Sequence, residues 1–352
     1  MAETIRVREG ERFDLERVER YLRERIEGLP EGRLEVWQFP SGASNLTYLV
    51  KIGGWEGVLR RPPLGPVPPK AHDMRRESMI LTRINTVYPL APKPYFFCED
   101  ESVIGAPFYV MERRKGVVIN ASFPDGVEPT PELCRGISET VVNTIVQLHA
   151  IDYEAAGLSD LGYPEGFLER QVKGWIGRYD KVKTDEIPEV SALTDWLARN
   201  VPESLPAAII HNDYKLNNLL LNPDDLTEVR AVLDWEMTTI GDPLFDLAVS
   251  LSYWVERDDP PELKQVIMAV TSEPGFLSRK EFMELYAALS GRDLSRMHWY
   301  MTFGYFKLAV IIQQIYARWK KGQTKDPRFA GFGERVRTLI VYTEDLAQRG
   351  DL

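Results

Sequence analysis

Asp213, Asn218 and Asp234 stand five and sixteen residues apart, and each lies beside a short apolar run. A carboxylate in a polar loop can orient a hydroxyl and accept its proton. An amide oxygen and a second carboxylate can hold a small hard cation such as Mg²⁺ against phosphate oxygens. Alone, Asp213 after the run Ala208-Ile209-Ile210 would make no more than an Asx turn. The three groups at this spacing point instead to phosphoryl transfer from a nucleotide, with Asp213 as base and Asn218 and Asp234 as metal ligands. Asp234 ends the apolar strand Val229–Leu233, where a carboxylate is costly unless a cation meets it. His211 is expected to hold the loop through backbone hydrogen bonds, and Glu236 either backs the metal or faces solvent. Asp242-Pro243 reads as a helix N-cap, and Asp246, one turn on, is placed to receive backbone donors from the loop. No cluster of cysteine and histidine offers a zinc site.

A second set lies upstream. Glu77 falls on the apolar stripe Met74, Leu81, Ile84 of a helix and needs a cation, and Arg60 on the preceding strand can supply one. Ser41-Gly42-Ala43-Ser44-Asn45 forms a small polar turn whose N–H groups could approach phosphate. It lacks the Gly-Lys-Ser/Thr of a Walker A loop. Arg61, Lys70, His72, Arg75 and Arg76 make a local basic patch that either meets an anion or is a solvated helix face.

The elements that must position these groups change character along the chain. A helix is expected over 14–27, then strands at 34–39, 46–51 and 58–61 with Gly53-Gly54 as a turn, a proline-dense loop at 62–69, the Glu77 helix, and a strand over 108–112. Beyond Gly116 the pattern is mainly helical, with an amphipathic stripe at Val141, Ile145 and Leu148. Helical segments follow near 166–180, 191–200, 243–256, 262–270, 280–289 and 297–320, and strands at 208–210, 219–221 and 229–233. His149, Gln171, Trp175, Arg178, Trp254, His298, Tyr300 and Tyr305 are expected to pack, a few of them around an acceptor pocket. This predicts an α+β chain of two lobes, a small β-rich one over 1–112 and a larger helical one over 113–352.

Composition narrows the partners. A net charge of −10, from 43 basic and 53 acidic side chains, argues against nucleic acid. No apolar run approaches the roughly 20 residues that span a bilayer. Two cysteines and a charged amino terminus without an apolar core lead us to expect a reducing, cytoplasmic setting.

The run His211-Asn212-Asp213, Asn218, Asp234-Trp235-Glu236 and Gly241-Asp242-Pro243-Leu244-Phe245-Asp246 resembles the aminoglycoside phosphotransferase/choline kinase-like family. Phe39–Thr47, Val58–Pro63 and Gly105–Glu112 resemble more closely the branch related to the kinase-like domain of acyl-CoA dehydrogenase family members. The likeness covers roughly residues 35 to 320. It implies a protein-kinase-like fold of two lobes that binds ATP and Mg²⁺ and phosphorylates a small hydroxylated substrate. It also implies Asp213 as catalytic base, Asn218 and Asp234 on the metal, and Arg60 in place of the phosphate-contacting lysine with Glu77 as its helix partner. Ser41, Gly42, Ser44 and Asn45 would cover the nucleotide, and backbone groups of Met111, Glu112 and Arg113 would meet adenine. Asn212 stands where the family usually has glycine. A kinase-like binding module without turnover and an aminoglycoside-modifying kinase are the alternatives.

Overall fold

The computed structural model describes residues 3–40, 45–64, 73–324 and 326–350, so Ser41, Gly42, Ser44, Lys70 and His72 lie outside the described residues. The fold has an antiparallel sheet toward the amino terminus and a mostly helical remainder. The chain divides into two compact units: Met1–Gly116 together with Arg230–Glu236, and Val117–Val229 together with Met237–Leu352.

The first unit is built from β1 (Ile5–Arg6), α1 (Leu15–Arg25), β2 (Leu34–Gln38), β3 (Leu46–Ile52), β4 (Trp55–Arg61), α2 (Met74–Ile84), β5 (Pro94–Cys98) and β6 (Phe108–Glu112). Its strands form one antiparallel sheet in the order β1-β2-β3-β4-β6-β5. Ile52 pairs with Trp55 across the Gly53-Gly54 turn. Gly53 has φ of 55°, and a Cβ there would lie 2.8 Å from the Glu31 carbonyl, so the turn requires glycine. Asp14 and Asp73 cap α1 and α2 by accepting the N–H groups of Arg17 and Arg76. Val18 and Leu22 of α1 pack with Tyr48, Val50, Leu59, Phe108 and Val110 of the sheet. Two strands go beyond the sequence reading, and both lie at sheet edges. β5 begins at a proline, which an edge position tolerates, and β1 is only two residues long.

The second unit contains α3 (Pro131–His149), α4 (Phe167–Val182), α5 (Glu189–Arg199), β7 (Ala208–Ile210), β8 (Leu219–Asn222), most of β9 (Asp225–Val232), β10 (Thr239–Gly241), α6 (Pro243–Leu251), α7 (Pro261–Val266), α8 (Arg279–Ser290), α9 (Met297–Lys320) and α10 (Phe332–Arg349). Helices α6 and α7 stop short of the expected 256 and 270, because the chain turns at Ser252 and Ile267 to bury Trp254 and Val270. β7 pairs antiparallel with β10, bracketing the loops between them, and β8 pairs with β9. Gly304 brings α9 close to α6, since a Cβ there would sit 2.8 Å from the Ala248 carbonyl oxygen. Among the described residues no helix is long and apolar enough to cross a membrane.

Candidate active site

In the first unit one arginine bridges two carboxylates. Arg60 Nη1 donates to Glu77 Oε1 at 2.6 Å and Arg60 Nη2 donates to Asp234 Oδ1 at 2.5 Å. The alternation of β4 and the stripe of α2 place Arg60 and Glu77 face to face, with Glu77 only 1% exposed. Asp234 reaches this pair because Val232 N–H bonds the Leu90 carbonyl at 2.9 Å and the Trp235 ring packs edge-on against Tyr88. Asp234 takes a left-handed backbone, φ 70°, which turns the chain straight out of β9. Burial pushes the Glu77 carboxyl up to about 7; Arg60 opposes the shift, and Asp234 and Glu236 add to it. Burial also disfavours the charged form of Arg60, but Glu77 and Asp234 outweigh it and hold the guanidinium well above its ordinary pKa.

The expected nucleotide-covering residue Asn45 is buried and donates from Nδ2 to Glu236 Oε2 at 3.0 Å, so Glu236 is held from within the same unit. Met111 sits in β6 between β4 and β5. Glu112 accepts the Lys93 N–H at 2.8 Å, and Arg113 pairs with Glu3 and Glu56, both at 2.7 Å. Of the expected basic patch, Arg61 is buried and donates to the Ile104 carbonyl at 2.9 Å, while exposed Arg75 pairs with Glu99.

In the second unit the loop after β7 carries Asp213. Its Oδ1 meets Lys215 Nζ at 2.8 Å, and Asn218 Nδ2 donates to its Oδ2 at 3.0 Å and to its backbone carbonyl at 2.8 Å. That orientation turns the nitrogen of the Asn218 amide toward Asp213 and the oxygen away from it. Beneath the loop, Asp246 accepts the N–H groups of His211 and Asn212, each at 2.7 Å, and touches His149 Nε2 at 3.2 Å. Burial alone would raise the pKa of Asp246, yet His149 and the His211 N–H hold it below the usual carboxylate range. His211 Nδ1 in turn accepts the Asp213 N–H at 3.3 Å. Asp242 caps α6 at Leu244 and also accepts from Tyr300 at 2.7 Å.

A cavity of about 240 Å³ opens next to this loop. Ile119, Leu216, Trp254, Ile267 and Val270 supply apolar wall and Lys215 a cation, and no Asp or Glu is among the described residues that line it. Two contributors escape the sequence reading, Lys215 and Lys307. Lys215 is two residues past Asp213 and could have been suspected from that spacing. Lys307 is 95 positions from the Asn212 whose carbonyl it meets, and no local pattern marks it, whereas His149, expected to pack, does so against Asp246.

A family profile described as "Phosphotransferase enzyme family" matches residues 35–282. Acyl-CoA dehydrogenase family member 11 of Gallus gallus is 34% identical over 98% of this chain, which spans 45% of that relative's length. The crystal structure of a candidate aminoglycoside phosphotransferase from Ralstonia eutropha JMP134 superposes with a TM-score of 0.81 at 30% identity, covering 96% of this chain and 99% of that one. A thermostable mutant of an aminoglycoside phosphotransferase, solved as a ternary complex with AMP-PNP and hygromycin B, shares the fold at 16% identity. Its TM-score is 0.58, over 92% of this chain and 97% of that one.

Proposed function

The chain belongs to the phosphotransferase enzyme family, and on that premise we propose that it transfers the γ-phosphate of ATP to a hydroxyl of a small molecule, with Mg²⁺. The observation that carries this reading is the arrangement around Asp213, a carboxylate gripped by Lys215 and Asn218 in a loop anchored from below by Asp246. Asp213 orients the acceptor hydroxyl and takes its proton as the acceptor oxygen bonds to phosphorus and the bridge to ADP breaks. Lys215 places positive charge where the transferring phosphoryl group carries negative charge. Arg60, fixed by Glu77, is the candidate for the nucleotide phosphates.

The donor atoms fit Mg²⁺ in kind: Asn218 offers an amide oxygen and Asp234 a carboxylate. Mg²⁺ keeps waters and phosphate oxygens as its other ligands, so two protein donors suffice. When bound there, Mg²⁺ supplies charge neutralisation to the phosphates. A nucleotide also accords with the AMP-PNP held by the more distant neighbour.

The apolar wall and Lys215 favour an acceptor with an apolar body, a hydroxyl and either no charge or a negative one. A polycationic aminoglycoside would need carboxylates there. Asp213→Asn is expected to cut turnover roughly 10²–10⁴-fold while leaving calorimetric binding of Mg-ATP intact. Asn218→Ala and Asp234→Ala should instead weaken Mg-ATP binding. Near-normal turnover by the Asp213 variant would refute the assignment of the base.

A further inference from the structure

We propose that Lys307, a buried lysine of α9, is a positioning residue that fixes the Asn212–Asp213 peptide plane and so aims the Asp213 carboxylate; the proposal rests on the phosphotransfer reading of Asp213. Lys307 Nζ donates to the Asn212 carbonyl at 2.8 Å, and the side chain is only 4% exposed. Its ammonium lies 5.5 Å from the Trp175 ring centroid and 5.3 Å from that of Phe245. The neighbouring helix positions Phe303, Phe306, Leu308, Ala309 and Val310 are all buried and apolar. A lysine among them costs desolvation that a leucine or methionine would not, so packing alone does not explain it.

The contact explains it. Asn212 is left-handed, φ 66°, and its backbone N–H, backbone carbonyl and side-chain Nδ2 are all engaged. Its N–H goes to Asp246, its Nδ2 to the Met237 carbonyl at 3.0 Å, and its carbonyl to Lys307. The peptide that begins with this carbonyl ends with the Asp213 N–H, which His211 Nδ1 accepts. Because a peptide is planar, holding the carbonyl from one side and the N–H from the other fixes the direction in which the chain delivers Asp213. Helix α9 is placed for this by one face, with Tyr300, Gly304 and Lys307 at successive four- and three-residue intervals meeting Asp242, Ala248 and Asn212 in turn. Burial lowers the pKa of Lys307 to about 8, with Asp213 and Asp246 favouring its charge and Lys215 and Arg178 opposing it.

Lys307→Met keeps the stem and removes the donor, and Phe303→Leu serves as a packing control on the same helix. Three readouts decide: thermal unfolding, hydrogen exchange of the peptide covering residues 211–218, and kcat and KM for ATP. We expect Lys307→Met to raise exchange in that peptide about tenfold while the rest of the second unit stays protected. Its kcat should fall roughly 10²-fold, with KM for ATP within about threefold of wild type. Unchanged exchange in the loop, or a rise spread across the unit as in Phe303→Leu, overturns the proposal. Should the methionine variant not fold, Lys307→Gln is read the same way, and failure of both makes Lys307 a packing residue. If the wild-type protein itself turns over no acceptor, the phosphotransfer reading fails, while the exchange experiment still decides whether Lys307 fixes the loop.

Discussion

Burial of Glu77 disfavours its ionised carboxylate, and that leaves a pH signature. Its folded-state pKa, raised to about 7 from 4.5 by burial with Arg60 opposing, means that the folded protein binds a proton there which the unfolded chain has released. The associated stability is complete below pH 4.5 and is lost as pH rises through 7. Lys307 runs the other way, because its pKa is depressed: its contribution is complete above 10.5 and is lost as pH falls through 8. Both costs therefore coincide near neutrality. Urea unfolding of Glu77→Gln should lose the Glu77 part of this slope, on the order of 3 kcal/mol between pH 4.5 and 7. A slope as steep as that of the wild type would show that another group carries it. At this scale the sequence is informative about Glu77, because a charged residue on an apolar helical stripe stands out. It is silent about Lys307, whose neighbours in the helix are apolar and whose partner is a backbone carbonyl far along the chain.

Close approach of α9 to α6 depends on one missing methyl. Gly304→Ala would put a Cβ 2.8 Å from the Ala248 carbonyl and force the helices apart. We expect a loss of about 1–3 kcal/mol in urea unfolding, accompanied by a lower kcat, since Tyr300 and Lys307 share the displaced face. Stability loss with kcat unchanged would mean that the loop tolerates the shift. Periodicity delimits the long elements well: α9 occupies 297–320 as its pattern predicts, and α2 and β6 begin where their apolar residues begin. Helix α10 goes unread although Val336, Leu339, Ile340, Thr343 and Leu346 repeat at helical spacing. Glu334, Arg335 and Arg337 crowd the start of that stripe, and it becomes visible as a buried face only once α9 and α5 lie against it. β10 is three residues long, and its pairing with β7 rather than its composition makes it a strand, whereas the aromatic β5 carries a strand composition that goes unread behind its leading proline.

The fold class follows from the change of pattern near residue 116, and the phosphotransfer chemistry from a compact motif, so both are legible in the sequence. The acceptor is not, because the cavity proposed for it draws on segments around 119–121, 215–217, 250–254 and 267–271, which no local pattern connects. With a net charge of −10 the molecule will attract polycations whatever its cavity prefers. Salt separates the two effects. Association of an aminoglycoside through the surface should fade as ionic strength rises toward about 1 M, whereas turnover of an apolar hydroxylated acceptor in the cavity should persist. ATP consumption against aminoglycosides, choline-like alcohols and hydroxyacyl compounds, at low and high salt, tests this. A salt-insensitive aminoglycoside turnover would reverse the preference.

The passage of Arg230–Glu236 into the first unit has a consequence for anyone who wishes to dissect the molecule. The chain crosses between the units after Gly116 and twice more at the ends of that short segment, so no single scission separates them. A fragment ending at Gly116 would keep Arg60 and Glu77 but leave behind Asp234, and with it the second carboxylate that Arg60 bridges. The two units are thus stitched rather than strung, and a nick between them should yield two peptides that still travel together.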